Sequence, residues 1–383
     1  MSKIRYIVAL FLCFSIFSIF SSKLYADTTT KLFINVDSPA AVVIDYKTGR
    51  ILYDKNASQK RPMASLTKVL TSIMLVENCK MDEMIEVPKN AAWIGGSTVG
   101  LKKGDKVSAE SLLYGMLLPS GNDCAYTVGK HIGGSIENYG VMATKKAHDI
   151  GAINTSIANP HGLDNENHYS TAYDMALITR YALNNKYINE AVATKSKTVN
   201  FGSFSKNLNN TNALLRSYEF ADGVKTGFTN GANRCLIASA TKDNERYIVV
   251  VLGAETTKIR FNDARKLLEE SFNRYKTRDI SDYLNFYINI PVIKGNIKSY
   301  EKKISDSKEI PLTDEEYERI YIKQDVMQTI MPPMNAGQKI GTIYAYIGDE
   351  EIYKKEIILE EDIKCKTPID YFFEGIKNMF ISI

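Results

Sequence analysis

Histidine is scarce in this chain, with four residues in 383, and none belongs to an H-E-x-x-H helix. The commonest zinc-peptidase site is thereby excluded, because it needs two imidazoles one helical turn apart. His161 and His168 flank a polar loop, where structural hydrogen bonding is the expected role. The five cysteines include no C-x-x-C and fit no zinc spacing. Neither metal nor cofactor is expected, and Cys79, Cys124, Cys235 and Cys365 read as buried free thiols. A surplus of one charge is also missing. The formal net charge is +4, so no nucleic acid is indicated as a partner. Repeats and low-complexity tracts are absent.

What remains is the composition of a soluble globular protein, 44% hydrophobic and 24% charged, long enough for two domains. The first 26 residues differ from the rest. Lys3 and Arg5 precede an apolar run from Ile7 to Phe20, and Leu24-Tyr25-Ala26 ends the stretch before Asp27. The run is too short for a comfortable membrane span, so residues 1–26 read as a signal peptide and the protein as exported, with retention as an uncleaved anchor the alternative.

Ala41 to Asp45 and Ile51 to Tyr53 read as a hairpin across Lys47-Thr48-Gly49. Leu66, Val69, Leu70, Ile73 and Met74 then recur at helical spacing, placing a buried helix from about Ala64. Further helices are expected over 108–118 and 171–183. Leu236 to Ala240 and Tyr247 to Gly253 make a second hairpin, followed by a helix over 261–275. Strands at both ends of this region with helices between them imply an α/β unit, residues 33–276, with an antiparallel sheet and a helical insertion. Short alternating strands such as 285–292, 319–322 and 339–347 describe a small all-β domain over 281–364. The tail, 365–383, is an amphipathic helix. Ile369, Phe372, Phe373, Ile376, Phe380 and Ile383 form its apolar face, which predicts contact with a membrane surface.

Ser65-Leu66-Thr67-Lys68 carries the chemistry. At a helix start, residues three apart share a face, so hydroxyl and amine come within hydrogen-bond reach. A serine needs a base to become a nucleophile. Lysine serves only where desolvation or a neighbouring cation keeps its amine neutral. The same pattern at Ser203/Lys206, Ser299/Lys302 and Ser305/Lys308 lies in polar stretches with no apolar helix behind it, and reads as surface. Ser120-Gly121-Asn122 follows Pro119, where a helix must end, and so is placed on a loop facing a cleft. Lys225-Thr226-Gly227 lies on a strand leading into the second hairpin. The ordered set is far more specific than its parts.

With these three motifs the chain resembles the low-molecular-mass penicillin-binding D-Ala-D-Ala carboxypeptidases, within the β-lactamase/transpeptidase-like group. Asn159-Pro160-His161-Gly162-Leu163, Asp174-Met175-Ala176 and Asp222-Gly223-Val224 reinforce the likeness. It implies that Ser65 forms the acyl-enzyme, that Lys68 is its base, and that Ser120 relays a proton to the leaving D-alanine. Asn122 would hold the substrate's peptide amide, and Lys225 would add positive potential. Thr226 and Arg260, just before the last helix, would bind the terminal carboxylate. Gly227 belongs to the third motif, and the backbone N–H groups of Ser65 and Phe228 would form the oxyanion hole. Many relatives carry histidine at the position of Phe228. The implied partners are a peptidoglycan stem peptide ending in D-Ala-D-Ala and β-lactam antibiotics, at the outer face of the bacterial cytoplasmic membrane or in the cell wall.

Two other functions share these motifs. A serine β-lactamase needs a deacylating base, and Glu166 is followed by Asn167-His168-Tyr169 rather than by the Leu-Asn such enzymes often show. A non-catalytic sensor of wall peptides would not need Ser65, Lys68 and Lys225 intact.

Overall fold

The computed structural model describes residues 34–381. The expected signal peptide lies outside them. The described chain divides into two compact units. One runs to Arg278 and takes in Glu309–Asp314; the other holds Asp279–Lys308 and the chain from Glu315.

The larger unit is built on five strands: β1 (Ala40–Asp45), β2 (Ile51–Lys55), β3 (Ala221–Thr229), β4 (Asn233–Lys242) and β5 (Glu245–Ala254). They form one sheet in the order β2-β1-β5-β4-β3, antiparallel throughout. Asp243 and Asn244 join β4 to β5 with φ of +51° and +66°, the left-handed conformation that a tight hairpin demands and Asn and Asp tolerate. Thr48 donates from N and Oγ1 to Asp45 at 2.6 Å, so Lys47-Thr48-Gly49 is a hairpin turn.

Every residue of β1 is buried, which an antiparallel strand shows only when both faces of its sheet are covered. Successive side chains take opposite sides. Ala40, Val42 and Ile44 pack with Leu66, Val69, Leu70 and Ile73. Ala41 and Val43 face Leu267, Leu268 and Tyr275. The first face carries helices α1 (Thr67–Asn78), α2 (Ala109–Leu117), α3 (Asn122–Gly133), α4 (Ile136–Asp149), α5 (Ala172–Leu183) and α6 (Lys186–Ala193); α7 (Thr257–Arg274) covers the second. Ser108 caps α2 by accepting from Ser111 N, and Thr171 caps α5 by accepting from Asp174 N.

Four expectations are corrected. The Ser65 segment opens with a 3-10 turn at Ala64–Leu66, and the α-helix begins only at Thr67. Asn122 is the first residue of α3 rather than part of a loop. Arg260 lies inside the first turn of α7, not before it. Cys124 and Cys235 are buried free thiols, but Cys79 is only partly buried and Cys365 is exposed.

The smaller unit pairs Phe286–Pro291 with Ser299–Ile304, and Lys339–Ile347 with both Ile320–Val326 and Glu350–Ile358. Ile288, Ile290, Ile304, Ile340, Ile343, Ala345 and Ile357 are buried. Pro368–Ile381 is helical, and Ile369, Tyr371, Phe372 and Phe373 on it are exposed. Among the described residues no helix is long and apolar enough to cross a membrane.

Candidate active site

Ser65 sits in the 3-10 turn, half-buried, between Ala64 and a helix whose residues Thr67 to Leu75 are all buried. One turn on, Lys68 has no exposed surface. Its Nζ lies 3.0 Å from Ser65 Oγ, 2.6 Å from Asn122 Oδ1 and 2.7 Å from the His161 carbonyl oxygen. A neutral amine has two N–H groups and one lone pair. Asn122 Oδ1 and the carbonyl can only accept, so they take both N–H groups. The lone pair is left for the Ser65 hydroxyl. Burial first, then the nearby Lys225 cation, pushes the Lys68 amine well below its ordinary value. Geometry and electrostatics thus both favour a base poised on Ser65.

Asn122 is fixed from the other side. Its Nδ2 donates to Gly95 O at 2.6 Å, and a Cβ on Gly96 would come within 2.7 Å of that nitrogen. Beside it the buried Asp123 carboxylate accepts from the backbone N–H groups of Val99, Gly100 and Leu101. That carboxylate holds the 95–101 loop against the start of α3. Nothing in the sequence marked Asp123.

The Asn159–Leu163 segment is the second support. Asn159 Oδ1 accepts from His161 N at 3.3 Å and Gly162 N at 2.7 Å, and its Nδ2 donates to Leu163 O. This side-chain turn aims the His161 carbonyl at Lys68. Gly162, at φ +92°, lies against the peptide joining Ala64 to Ser65. Ala64 itself has φ +49°, and Ser120 has φ +68°. A left-handed alanine or serine costs roughly 1–3 kcal/mol and persists where its surroundings impose it. Both flank the reactive groups. Ser120 is buried, and its hydroxyl makes no hydrogen bond among the described residues.

His168 supports the turn from below. Its Nδ1 accepts from Ala158 N at 3.0 Å, which leaves the proton on Nε2 to be given to Thr67 Oγ1 at 2.8 Å. Thr67 then donates to Ala64 O at 2.8 Å. Burial holds His168 down to about 4, so it is neutral. This is the structural bonding expected of it.

Strand β3 forms the opposite wall. A Cβ on Gly227 would stand 3.2 Å from Ser65 N, tighter than an ordinary contact, so glycine eases the strand's close approach to that N–H. Lys225 is fully buried, donates to Thr226 O at 2.8 Å, and is held down to about 7 by burial and by Arg260. Thr226 Oγ1 bonds Thr211 Oγ1 at 2.6 Å, a partner the sequence did not suggest. Arg260 reaches the carbonyls of Gly227 and Cys235 at 3.2 and 3.3 Å, and among the described residues its buried Nε has no hydrogen-bond partner. None of Lys68, Lys225 and Arg260 is ion-paired with a carboxylate among the described residues. With the Lys68 amine neutral, Lys225 and Arg260 make the pocket positive. Phe228 is 52% exposed, with the Arg234 guanidinium 4.9 Å from its ring centre.

A dry lysine bonded to a serine one helical turn away, beneath an antiparallel edge strand, is the arrangement of an active-serine acyl-transfer enzyme. Comparison with known proteins narrows that class. The profile described as D-alanyl-D-alanine carboxypeptidase matches residues 26–256, and that of the penicillin-binding protein 5 C-terminal domain matches residues 285–365. D-alanyl-D-alanine carboxypeptidase DacF of Bacillus subtilis (strain 168) is 34% identical over 336 residues, covering 86% of both chains. The crystal structure of D-alanyl-D-alanine carboxypeptidase DacD from Francisella tularensis superposes with a TM-score of 0.71 at 29% identity, covering 87% of this chain and 95% of that one. Penicillin-binding protein 5 from Haemophilus influenzae gives 0.73 at 27% identity, covering 86% and 98%. The chain belongs to the D-alanyl-D-alanine carboxypeptidase family, a family of serine peptidases. The β-lactamase alternative finds no support: Glu166 is exposed, and neither Ser65 nor Lys68 bonds it.

Proposed function

We propose that this protein is a serine-type D-Ala-D-Ala carboxypeptidase that trims peptidoglycan stem peptides through an acyl-enzyme on Ser65. The observation that carries this reading is the set of three partners around Lys68 Nζ, which leaves its lone pair for the Ser65 hydroxyl.

Lys68 takes the proton as Ser65 Oγ attacks the carbonyl of the penultimate D-alanine. Charge develops on that carbonyl oxygen, where the N–H groups of Ser65 and Phe228 receive it. The terminal carboxylate lies in the pocket of Lys225, Thr226 and Arg260, against Gly227. Asn122 keeps one N–H and one lone pair beyond its bonds to Lys68 and Gly95, enough to hold the substrate's peptide amide. The proton passes from Lys68 through Ser120 to the departing D-alanine nitrogen. Water, deprotonated by Lys68, then attacks the ester, and that proton returns from Lys68 to Ser65 Oγ as the acyl bond breaks. A β-lactam carboxylate fits the same cations, and because its leaving nitrogen stays tethered to the acyl group, its acyl-enzyme persists.

We read residues 33–276 as the catalytic domain, 281–364 as a separate β-domain and 1–26 as an export signal. The exposed Ile369, Phe372 and Phe373 support a tail, 365–383, that lies on the outer face of the cytoplasmic membrane. Sedimentation with lipid vesicles tests that reading, and should be lost when residues 365–383 are removed.

The decisive experiment is mass spectrometry after incubation with a fluorescent penicillin. One adduct is expected on Ser65 and none in Ser65→Ala, which should also lose D-alanine release by at least about 10⁴-fold. An adduct on another residue would overturn the assignment.

A further inference from the structure

Helices α1 and α3 meet at both ends. At their N-terminal ends Lys68 Nζ and Asn122 Oδ1 are 2.6 Å apart. At the far end Cys79 is the C-cap of α1 and His131 lies in the last turn of α3. There the Cys79 Sγ, a Glu83 carboxylate oxygen and a His131 ring nitrogen all lie within 4.8 Å of one another. His131 Nε2 stands 3.1 Å from Glu83 Oε1, with each side chain 38% exposed. The two helices therefore run side by side in the same direction, and both negative dipole ends converge on this cluster. Such an end favours a cation. Lys130, in the same turn of α3, is turned away onto the Gly134 carbonyl.

We propose that Cys79, Glu83 and His131 bind a borderline-soft divalent cation of the zinc class, clipping together the C-terminal ends of the two helices whose N-terminal ends carry the active site. One sulfur, one oxygen and one nitrogen are donors that zinc accepts in tetrahedral sites, and a water takes the fourth position. Bond lengths near 2.0–2.3 Å set ligand atoms roughly 3.3–3.6 Å apart. The Glu83–His131 pair is already near that spacing, and rotation of partly exposed side chains closes the rest. Binding displaces the thiol proton to solvent. The sequence concealed the set because Cys79-x-x-x-Glu83 resembles no zinc motif and α3 supplies the third ligand from far along the chain.

Reduced, metal-free full chain titrated with Co²⁺ tests this. One equivalent should give a thiolate-to-cobalt charge-transfer band, retained in Cys365→Ser and absent in Cys79→Ser. Glu83→Gln and His131→Ala should each weaken affinity at least about tenfold, as losses around metal sites commonly do. Saturating Zn²⁺ should raise the unfolding temperature of the parent chain and not that of Cys79→Ser. A band of equal strength in Cys79→Ser, no band in the parent chain, or zinc binding without a thermal shift would overturn the clip. Should Cys79→Ser fail to fold, Glu83→Gln and His131→Ala decide the matter through their cobalt affinities.

Discussion

Gly162 lies so close to Ala64 that a Cβ on it would come within 2.0 Å of the Ala64 carbonyl oxygen. That contact fixes the peptide whose N–H belongs to Ser65. Gly162→Ala must move one of the two segments, and at φ +92° the new side chain is strained whatever space opens. Acylation by penicillin should fall by at least about 10²-fold, the usual consequence of misplacing a reacting group by an ångström. A stopped-flow acylation rate equal to that of the parent chain would contradict the contact.

Lys225 sets opposing demands on stability and activity. Its ordinary value is 10.5, and in the fold it is held near 7. Between these values the unfolded chain binds the extra proton, so stability rises with pH across that window and the penalty is fullest below pH 7. Lys225→Met should therefore stabilise the protein by about 1–4 kcal/mol at pH 6, with the gain vanishing toward pH 10.5. Losing the cation also relieves Lys68, so the acid limb of kcat/KM should shift to higher pH. Denaturation at several pH values and a pH–rate profile measure the two effects.

His168 is buried as a neutral ring held near 4, below its ordinary 6.5. The unfolded state binds the extra proton as pH falls from 6.5 to 4, so stability present above 6.5 is lost across that window. The loss attributable to this group is roughly 2–4 kcal/mol. His168→Gln should be less stable at pH 7.5 but should show a flatter decline between pH 6.5 and 4. Parallel curves for the two proteins would rule this out.

Phe228 contributes to the proposed oxyanion hole through its backbone alone. With the side chain 52% exposed, Phe228→Ala should alter kcat/KM by no more than about threefold, in keeping with surface substitutions of ±0.5 kcal/mol. A much larger fall, measured by D-alanine release, would give the ring a part in substrate binding.

The approach of Lys68 to Ser65 was legible because a serine and a lysine three residues apart at the start of an apolar helix can hardly avoid one another. Hairpins were legible for a similar local reason: Asp243 and Asn244 announce their own turn. The supports of Lys68 were not. A backbone carbonyl, such as that of His161, has no sequence signature, and Asn122 meets Lys68 only through tertiary packing. Helices α3 and α4 were hidden by their glycines. A Cβ on Gly129 would meet Pro160 at 2.7 Å, and one on Gly140 would meet the Ile157 carbonyl at 2.6 Å. Close packing there selects small residues in place of the apolar side chains that reveal a helical period.

Strand β1 takes its place between β2 and β5, with Ala40 opposite Leu252. During synthesis the earlier strand must wait, paired on one edge only, until nearly the entire unit has left the ribosome. A fold closed by so distant a partner forms slowly, and until then the apolar edge of β1 invites association with other nascent chains. In a chain exported as proposed above, that delay keeps the polypeptide threadable.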